Sequence, residues 1–294
     1  MAQSIELAEK FQPILDEIYE REALTARLDA PTKPVNFGGA DTVNVFKTSV
    51  IGLGTYSRAS GYPTGQITAT WEALTLSKQR GRSFTIDRMD NEETLGMAFG
   101  TLVNEFIRTE VAPEVDATRL AAYATSAGLG TTGTLSTAAN VLSAIDTGAA
   151  ALDNAKVPNE GRILFLASSI YRLLMGAVTR SLTNESDFDR RLQQLDDMLV
   201  VPVPQDRFYT AITLNAGATV DAGGYASNGQ NINFMILHPS AVLQVKKHDN
   251  IKIFSPDVNQ SSDGWLFQYR LYHDAFVYDN KTEGIYSHAV AAAS

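Results

Sequence analysis

"RGRSFTIDRMDNEETLGMAFG" (80–100) sets three arginines beside five acids or near-acids: Asp87, Asp90, Asn91, Glu92 and Glu93. Three readings compete for it. As a metal site it fails on spacing, because the calcium-loop pattern D-x-[DN]-x-[DN]-G with a late Glu is absent. As a nucleic-acid contact, a period of two would put Arg80, Arg82 and Arg88 on one strand face with Phe84 and Ile86, but the acids follow at once. As a seam between a strand and a helix, every residue has a role. Phe84 and Ile86 finish the strand, Asp90 caps the helix, and Glu93 closes a D-x-x-E capping box. Glu92 and Glu93 also suit the positive end of the helix dipole. The seam reading accounts for the most residues, with the arginines available for ion pairing between chains.

Downstream, the periodicity predicts a helix from Asn91 to about Thr109. Leu95, Phe99, Leu102 and Phe106 recur at four, three and four, and Ala98, Val103 and Ile107 widen the stripe. Pro113 then marks either a kink or the first turn of a continuation through "EVDATRLAAYA". Upstream, "TVNVFKTSVIGLGTY" (42–56) and "QITATWEALTL" (66–76) have the Thr, Val, Ile and aromatic content of strands. "SRASGYPTG" (57–65) between them reads as a loop. A long hairpin is expected, whose 15-residue first strand would extend about 50 Å. Val43 and Val45 share a face with Ile51 and Leu53, while Phe46 and Val50 point the other way. Ile67, Ala69 and Trp71 alternate, and Leu74 and Leu76 switch phase, as a bulge would cause. A two-stranded hairpin is barely stable alone, so one that projects from its own domain must lean on another chain.

The ends and the middle complete the outline. Residues 4–28 predict an amphipathic helix with Leu7, Phe11, Ile14, Ile18, Leu24 and Leu28 inward, stopped by "APTKP" (30–34). Its apolar stripe docks either on its own domain or on a neighbouring subunit. "TSAGLGTTGTLS" (125–136) reads as a connector. A helix over 135–157 with Leu142 and Ile145 inward, a buried strand at "GRILFLAS" (161–168), a helix at "SIYRLLMGAV" (169–178) and a strand ending at the prolines of "VVPVP" follow. "NFMILHPSAVLQVKKHD" (233–249) reads as strand then helix, giving an α/β layer. Residues 211–231 are polar and glycine-rich, a surface loop or weak edge hairpin. "GWLFQYRLYHDAFVYDNKTEGIYSHAV" (264–290) is strand-like, with a turn at "DNKTEG".

Composition excludes several classes. The chain has 294 residues, no cysteine, and 24 Lys+Arg against 33 Asp+Glu, a net charge of −9. Thiolate chemistry is thereby ruled out, and an acidic chain does not grip DNA along its length. No run of 18 apolar residues exists, and the first residues lack a secretory pattern, so no membrane partner is expected. Four histidines (His238, His248, His273, His288) are a thin supply for catalysis. Neither "GLGTYS" nor "GLGTTG" is a phosphate loop, and no G-x-S-x-G elbow occurs. His238, ahead of Pro239, reads as a satisfied core or loop histidine. His273 and Asp274 are adjacent on a strand and cannot form a local dyad. No catalytic residue, metal or cofactor is assigned.

The order of these blocks carries a resemblance. An amphipathic arm precedes a long hairpin ending in "WEALTLSKQRGRSFTIDRMDNEET". A helix closing on "RTEVAPEVDA", an α/β lobe and the final strands follow. Nearly the whole chain resembles the major capsid proteins of tailed double-stranded-DNA bacteriophages, the Hong Kong 97 fold. The resemblance implies an α+β fold with an N-terminal arm (1–35), an extended β-hairpin loop (36–90), and a peripheral domain whose spine helix occupies 91–134. An α/β axial domain (135–250) and return strands of the peripheral domain (251–294) complete it. It implies a non-enzymatic structural protein that forms pentamers and hexamers of an icosahedral shell, assembled in the host cytoplasm and resident in the virion. Partners would be other copies of itself, portal and scaffolding proteins, and double-stranded DNA enclosed without sequence-specific binding. Arg80, Arg82, Asp87, Arg88, Trp71 and Tyr62 are the expected contacts between subunits, and Asp90 with Glu93 the helix cap. Lys47, Lys78, Asn259 and Asn280 match no cross-linking motif. An encapsulin-like nanocompartment shares the implied fold, and a soluble acidic enzyme is the reading outside it.

Overall fold

A computed structural model describes residues 23–29, 36–37, 41–59, 61–89, 103–177, 194–217, 223–260 and 262–291. The chain forms two compact units: Pro31–Gln79, and a body made of Met1–Ala30 with Arg80–Ser294. Of the helix expected over 4–28, residues 4–22 fall outside the described residues. Its last part is not α-helical: 24–25 are a turn and Ala26–Leu28 a single 3₁₀ turn. The first part of the helix expected from Asn91 also falls outside the described residues.

The smaller unit is an antiparallel sheet of β1 (Asn36–Phe37), β2 (Thr42–Val50) and β3 (Ile67–Thr75) in that order. The register runs unbroken from Thr42 opposite Thr75 to Val50 opposite Ile67. There is no bulge in β3. Leu74 faces Val43, which is fully buried; the phase change in the sequence marks a switch of apolar side, with the backbone staying in step. Strand β2 also stops at Val50 instead of reaching Tyr56, so it spans about 30 Å. Two glycines explain the stop, since Gly52 and Gly54 offer no side chain to a pleated sheet. A Cβ on Gly54 would lie 2.7 Å from Pro63 Cγ, so the returning loop needs glycine there.

In the body, β4 (Lys78–Asp87) is the edge of a three-stranded sheet with β12 (Val242–Phe254) and β13 (Gly264–Val277), ordered β12-β13-β4. A helix is in place by Val103. It widens to a π-turn at Ile107–Val111 and continues as α1 (Ala112–Thr125), with Pro113 in its first turn. Proline has no N–H to donate and its ring crowds the carbonyl four residues back, that of Thr109. The wider turn relieves both problems without ending the helix.

The other sheet has six strands. Its order is β5 (Leu129–Thr132), β14 (Ile285–Ala289), β11 (Ile232–Leu237), β6 (Ile163–Ala167), β8 (Met198–Val203) and β7 (Gln194–Leu195). Strands β6 and β11 are buried at every position, as expected of strands covered on both faces. Helices α2 (Ala138–Asn154) and α3 (Ser168–Ala177) pack on each other and on this sheet. Thr137 caps α2 by accepting from the Asn140 N–H at 3.3 Å. Asp196 and Asp197, both at positive φ, make the two-residue turn that joins β7 to β8.

Two expectations for this lobe are corrected. Residues 239–249 are not a helix. After one 3₁₀ turn at Pro239–Ala241 the chain becomes the 13-residue strand β12, paired along its length with β13. Val242, Leu243 and Val245 are buried there. The 125–136 connector also contains a strand, β5, which pairs parallel to β14. Gly130 is needed in it, because a Cβ would sit 2.6 Å from the Ser287 carbonyl oxygen. The 211–231 segment contains a short hairpin, β9 (Ile212–Leu214) with β10 (Tyr225–Ser227).

The body holds two apolar cores. The larger joins Phe165, Leu166, Phe234, Ile236, Ile145 and their neighbours beneath the six-stranded sheet. The smaller packs Val103, Ile107, Val111 and Val115 of the helix against Phe267, Tyr269 and Leu271 of β13.

Candidate interaction surfaces

Strand pairing gives the hairpin unit two unlike faces. On one, Val43 and Leu74 are covered or half-covered, and Lys47 Nζ meets Glu72 Oε2 at 2.6 Å. On the other, Phe46 stands opposite Trp71, Thr48 opposite Ala69 and Val50 opposite Ile67. The Phe46 and Trp71 rings touch at 5.0 Å, yet the side chains remain 53% and 62% exposed; Val50 and Ile67 are 73% exposed. The loop beyond adds Ile51, Leu53, Tyr56 and Tyr62, with the two tyrosine rings 5.0 Å apart. A backbone bond pair between Ser57 and Gly61, the latter at φ +78°, closes its tip. Scattered exposed apolar residues are ordinary; a continuous aromatic and branched-aliphatic face is an interaction surface or an aggregation hazard.

The body presents the seam. Burial in β4 alternates strictly, with Arg80, Arg82, Phe84 and Ile86 on the half-covered face. Phe84 sits against Phe106 at 5.0 Å and Phe267 at 6.2 Å, which fixes the strand on the helix. Arg80 is engaged within its own chain. Its guanidinium forks onto both carboxylate oxygens of Glu114, and it also donates to the carbonyls of Asn215 (2.7 Å) and Gly224 (3.1 Å). One side chain therefore ties the strand, helix α1 and the two ends of the loop between β9 and β10. Arg82 lies two residues on, on the same face. Arg88 is already helical and exposed. Asp87 accepts from the Met89 N–H at 2.9 Å, which places a capping carboxylate at the helix start. Asp90 and Glu93 lie outside the described residues. The six expected contact residues thus divide: Trp71 and Tyr62 belong to the hairpin unit, and Arg80, Arg82, Asp87 and Arg88 to the body.

Sequence reasoning missed the most buried polar group of the body. Asp116 and Arg119 of α1 are both fully buried. Asp116 Oδ1 accepts from the Thr25 N–H (3.1 Å) and hydroxyl (2.6 Å), and Oδ2 from the Leu24 N–H (2.9 Å); Arg207 lies 3.4 Å away. Arg119 donates to Thr25 Oγ1 at 3.0 Å and reaches Asp29. The signal was present only as acid and base in "EVDATRL" on a helix otherwise buried.

The polar chemistry elsewhere is structural. Tyr225 donates to the Asp206 carbonyl at 3.0 Å, and burial together with the Asp206 charge pushes its hydroxyl up to about 12, so it stays protonated. His238 Nδ1 accepts from the Ser240 N–H at the turn before β12. His288 lies buried beside Asn233, and burial lowers its pKa. Among the described residues no three His, Asp or Glu side chains gather to hold a metal, and no helix is long and apolar enough to cross a membrane.

No family model and no curated protein matches the chain in sequence. Solved structures do match. A structure from Gordonia phage Cozz superposes with a TM-score of 0.63 over 92% of this chain and 87% of its own, at 11% identity. The capsid structure of the cyanophage P-SCSP1u gives 0.60 over 87% and 85%, at 13% identity. The chain has the capsid-protein fold of tailed phages. That α+β capsid fold is not confined to phages: a virus-like particle from Pyrococcus furiosus matches with a TM-score of 0.53 over 96% of this chain and 99% of its own, at 11% identity.

Proposed function

We propose that this chain is the major capsid protein of a tailed double-stranded-DNA phage, a structural, non-enzymatic subunit of an icosahedral shell. One observation beyond the fold carries the reading: the hairpin unit's exposed face of Phe46, Val50, Ile67 and Trp71, which a lone subunit leaves in water. In the proposed shell other copies of the chain cover that face, in pentamers and hexamers. Residues 1–35 serve as arm, 36–90 as extended loop, 91–134 and 251–294 as peripheral domain and 135–250 as axial domain. Portal and scaffolding proteins, and DNA enclosed without sequence reading, are the further partners. Assembly belongs to the host cytoplasm and the product to the virion.

Phe46 and Trp71 together still offer roughly 200 Å² of apolar surface, judged from the 150–250 Å² such side chains can bury. Covering it contributes at most about 5 kcal/mol for each docked hairpin at 25 cal/mol per Å². The double substitution Phe46→Ser with Trp71→Ser therefore yields soluble chain with unchanged circular dichroism and no particles in negative-stain microscopy. Normal particles from that variant would remove the hairpin face from the interface.

A second reading, an encapsulin-like shell, is kept because the same fold occurs in a virus-like particle from Pyrococcus furiosus. The contents of purified particles separate the two: packaged genome supports the phage shell, and a co-purifying enzyme supports the nanocompartment.

A further inference from the structure

The two apolar cores of the body are divided by a charged layer, and a short separate piece of chain closes over it. Along α1, Val115 belongs to the smaller core and Leu120 to the larger, with Asp116 and Arg119 between them. Residues 23–29 lie over this layer. Ala23 reaches the smaller core and Leu28 the larger, while Thr25 between them is fully buried against Asp116 and Arg119.

We infer that residues 23–29 form a clasp that opens and closes over the charged layer as a unit separate from the rest of the body, with the Asp116 carboxylate as its catch. Three features support this. The segment is internally self-sufficient: Leu28 and Asp29 donate to the carbonyls of Thr25 and Ala26, at 3.0 and 2.9 Å, in a single 3₁₀ turn. It belongs to none of the body's sheets. Its polar attachment centres on the charged pair: Asp116 takes two successive backbone N–H groups and one hydroxyl, Arg119 donates to Thr25 Oγ1 and reaches Asp29, and Gln244 adds one bond to the Thr25 carbonyl.

The layer below is also able to survive opening. Asp116 keeps Arg207 at 3.4 Å, and Gln244 keeps the Tyr123 hydroxyl at 2.7 Å. Once the clasp lifts, Arg119 gives up Thr25 and Asp29, and water can reach both the guanidinium and the carboxylate, so neither is stranded in an apolar site. Local openings of this kind lie below the free energy of global unfolding. Closed, the clasp holds Ala23 in the smaller core and Leu28 in the larger; open, it releases both. The device does not depend on the shell reading.

Amide hydrogen exchange on the purified full-length chain, held in one assembly state, tests it. Peptides covering 23–29 are compared with peptides from β6 and β11. In the wild type the clasp amides are protected, but less than the core strands. Asp116→Asn removes a charged acceptor worth roughly 1.5–3 kcal/mol, a 10- to 150-fold change in an equilibrium constant. Exchange over 23–29 should therefore quicken at least 10-fold while β6 and β11 keep their rates. Thr25→Val, which removes the hydroxyl and keeps the shape, should act the same way more weakly and leaves Asp116 paired, so the test survives if Asp116→Asn does not fold. Three results overturn the inference: clasp and core exchanging in step, clasp exchange unmoved by both variants, or clasp amides unprotected in the wild type.

Discussion

Arg80 offers the sharpest measurement, because an intramolecular fork and a contact between subunits predict opposite results for the isolated chain. The perturbation is a double-mutant cycle of Arg80→Ala and Glu114→Gln. The two side chains are 22% and 13% exposed, so the pair is shielded without being fully desolvated. Removing Arg80 deletes a two-point fork and two bonds to carbonyls, and leaves Glu114 a half-buried carboxylate without its cation. A bond to a charged group contributes roughly 1.5–3 kcal/mol when shielded, and partial exposure discounts each. Arg80→Ala should then lose about 2–3 kcal/mol of unfolding free energy and Glu114→Gln about 1–2. The coupling should be about 1–2 kcal/mol, as for directly paired side chains. Arg80→Lys should recover little, since an ammonium cannot fork onto a carboxylate and reach two carbonyls as well. The assay is urea denaturation in the Phe46→Ser, Trp71→Ser background, so that assembly adds nothing to the apparent stability. A coupling below about 0.3 kcal/mol, with an unchanged midpoint for Arg80→Ala, would refute the fork as a contributor and return Arg80 to the set of contacts between chains.

Two further outcomes complement those tied to the hairpin face and the clasp. Reversing Arg82 and Arg88 to Glu should leave helix content nearly intact and block particle formation in microscopy; particles of normal form would show that these arginines are not interface residues. His288 should make stability pH-dependent: burial lowers its native pKa, so the unfolded chain binds more protons near pH 6. Stability is then full above about pH 6.5, the ordinary histidine value, and falls as pH drops below it. His288→Gln should flatten that slope in denaturation midpoints measured from pH 7.5 to 5, and an unaltered slope would assign it to other groups.

The elements legible in the sequence are those whose burial is written locally. Helix α2, strand β6 and the pair β13–β14 carry their own period or their own unbroken apolar run. The hairpin was legible for the same reason, through Ile67, Ala69 and Trp71 in alternation. Strand β12 was not, because "AVLQVKKHD" fits a helix as well as a strand; what decides it is β13, whose partner residues begin about 20 positions later. Strand β5 hid in a glycine- and threonine-rich stretch because its glycine serves a close approach to Ser287, more than 150 residues away in sequence. The seam at 80–89 was legible as a seam. Its ion pair was not, since Glu114 comes 34 residues after Arg80 and nothing local marks it as the partner. The Thr25–Asp116 catch, 91 residues apart, was hidden for the same reason.

The two units differ in what they leave unfinished, and the difference bears on function. The body buries even its charges: Asp116 and Arg119 have no exposed surface and find their partners inside the chain. A buried carboxylate and guanidinium are tolerable only where the surrounding fold supplies hydrogen bonds, and here the body supplies them from its own chain. The hairpin unit does the reverse. Its nine-residue strands place aromatic and branched side chains on a face that stays in water, and beyond the two residues paired with β1 a two-stranded ribbon gains little from burying them against itself. Such a face risks aggregation unless another surface covers it. A subunit that meets many identical copies does gain, because a self-sufficient body keeps its shape while an apolar face on each copy supplies the association energy.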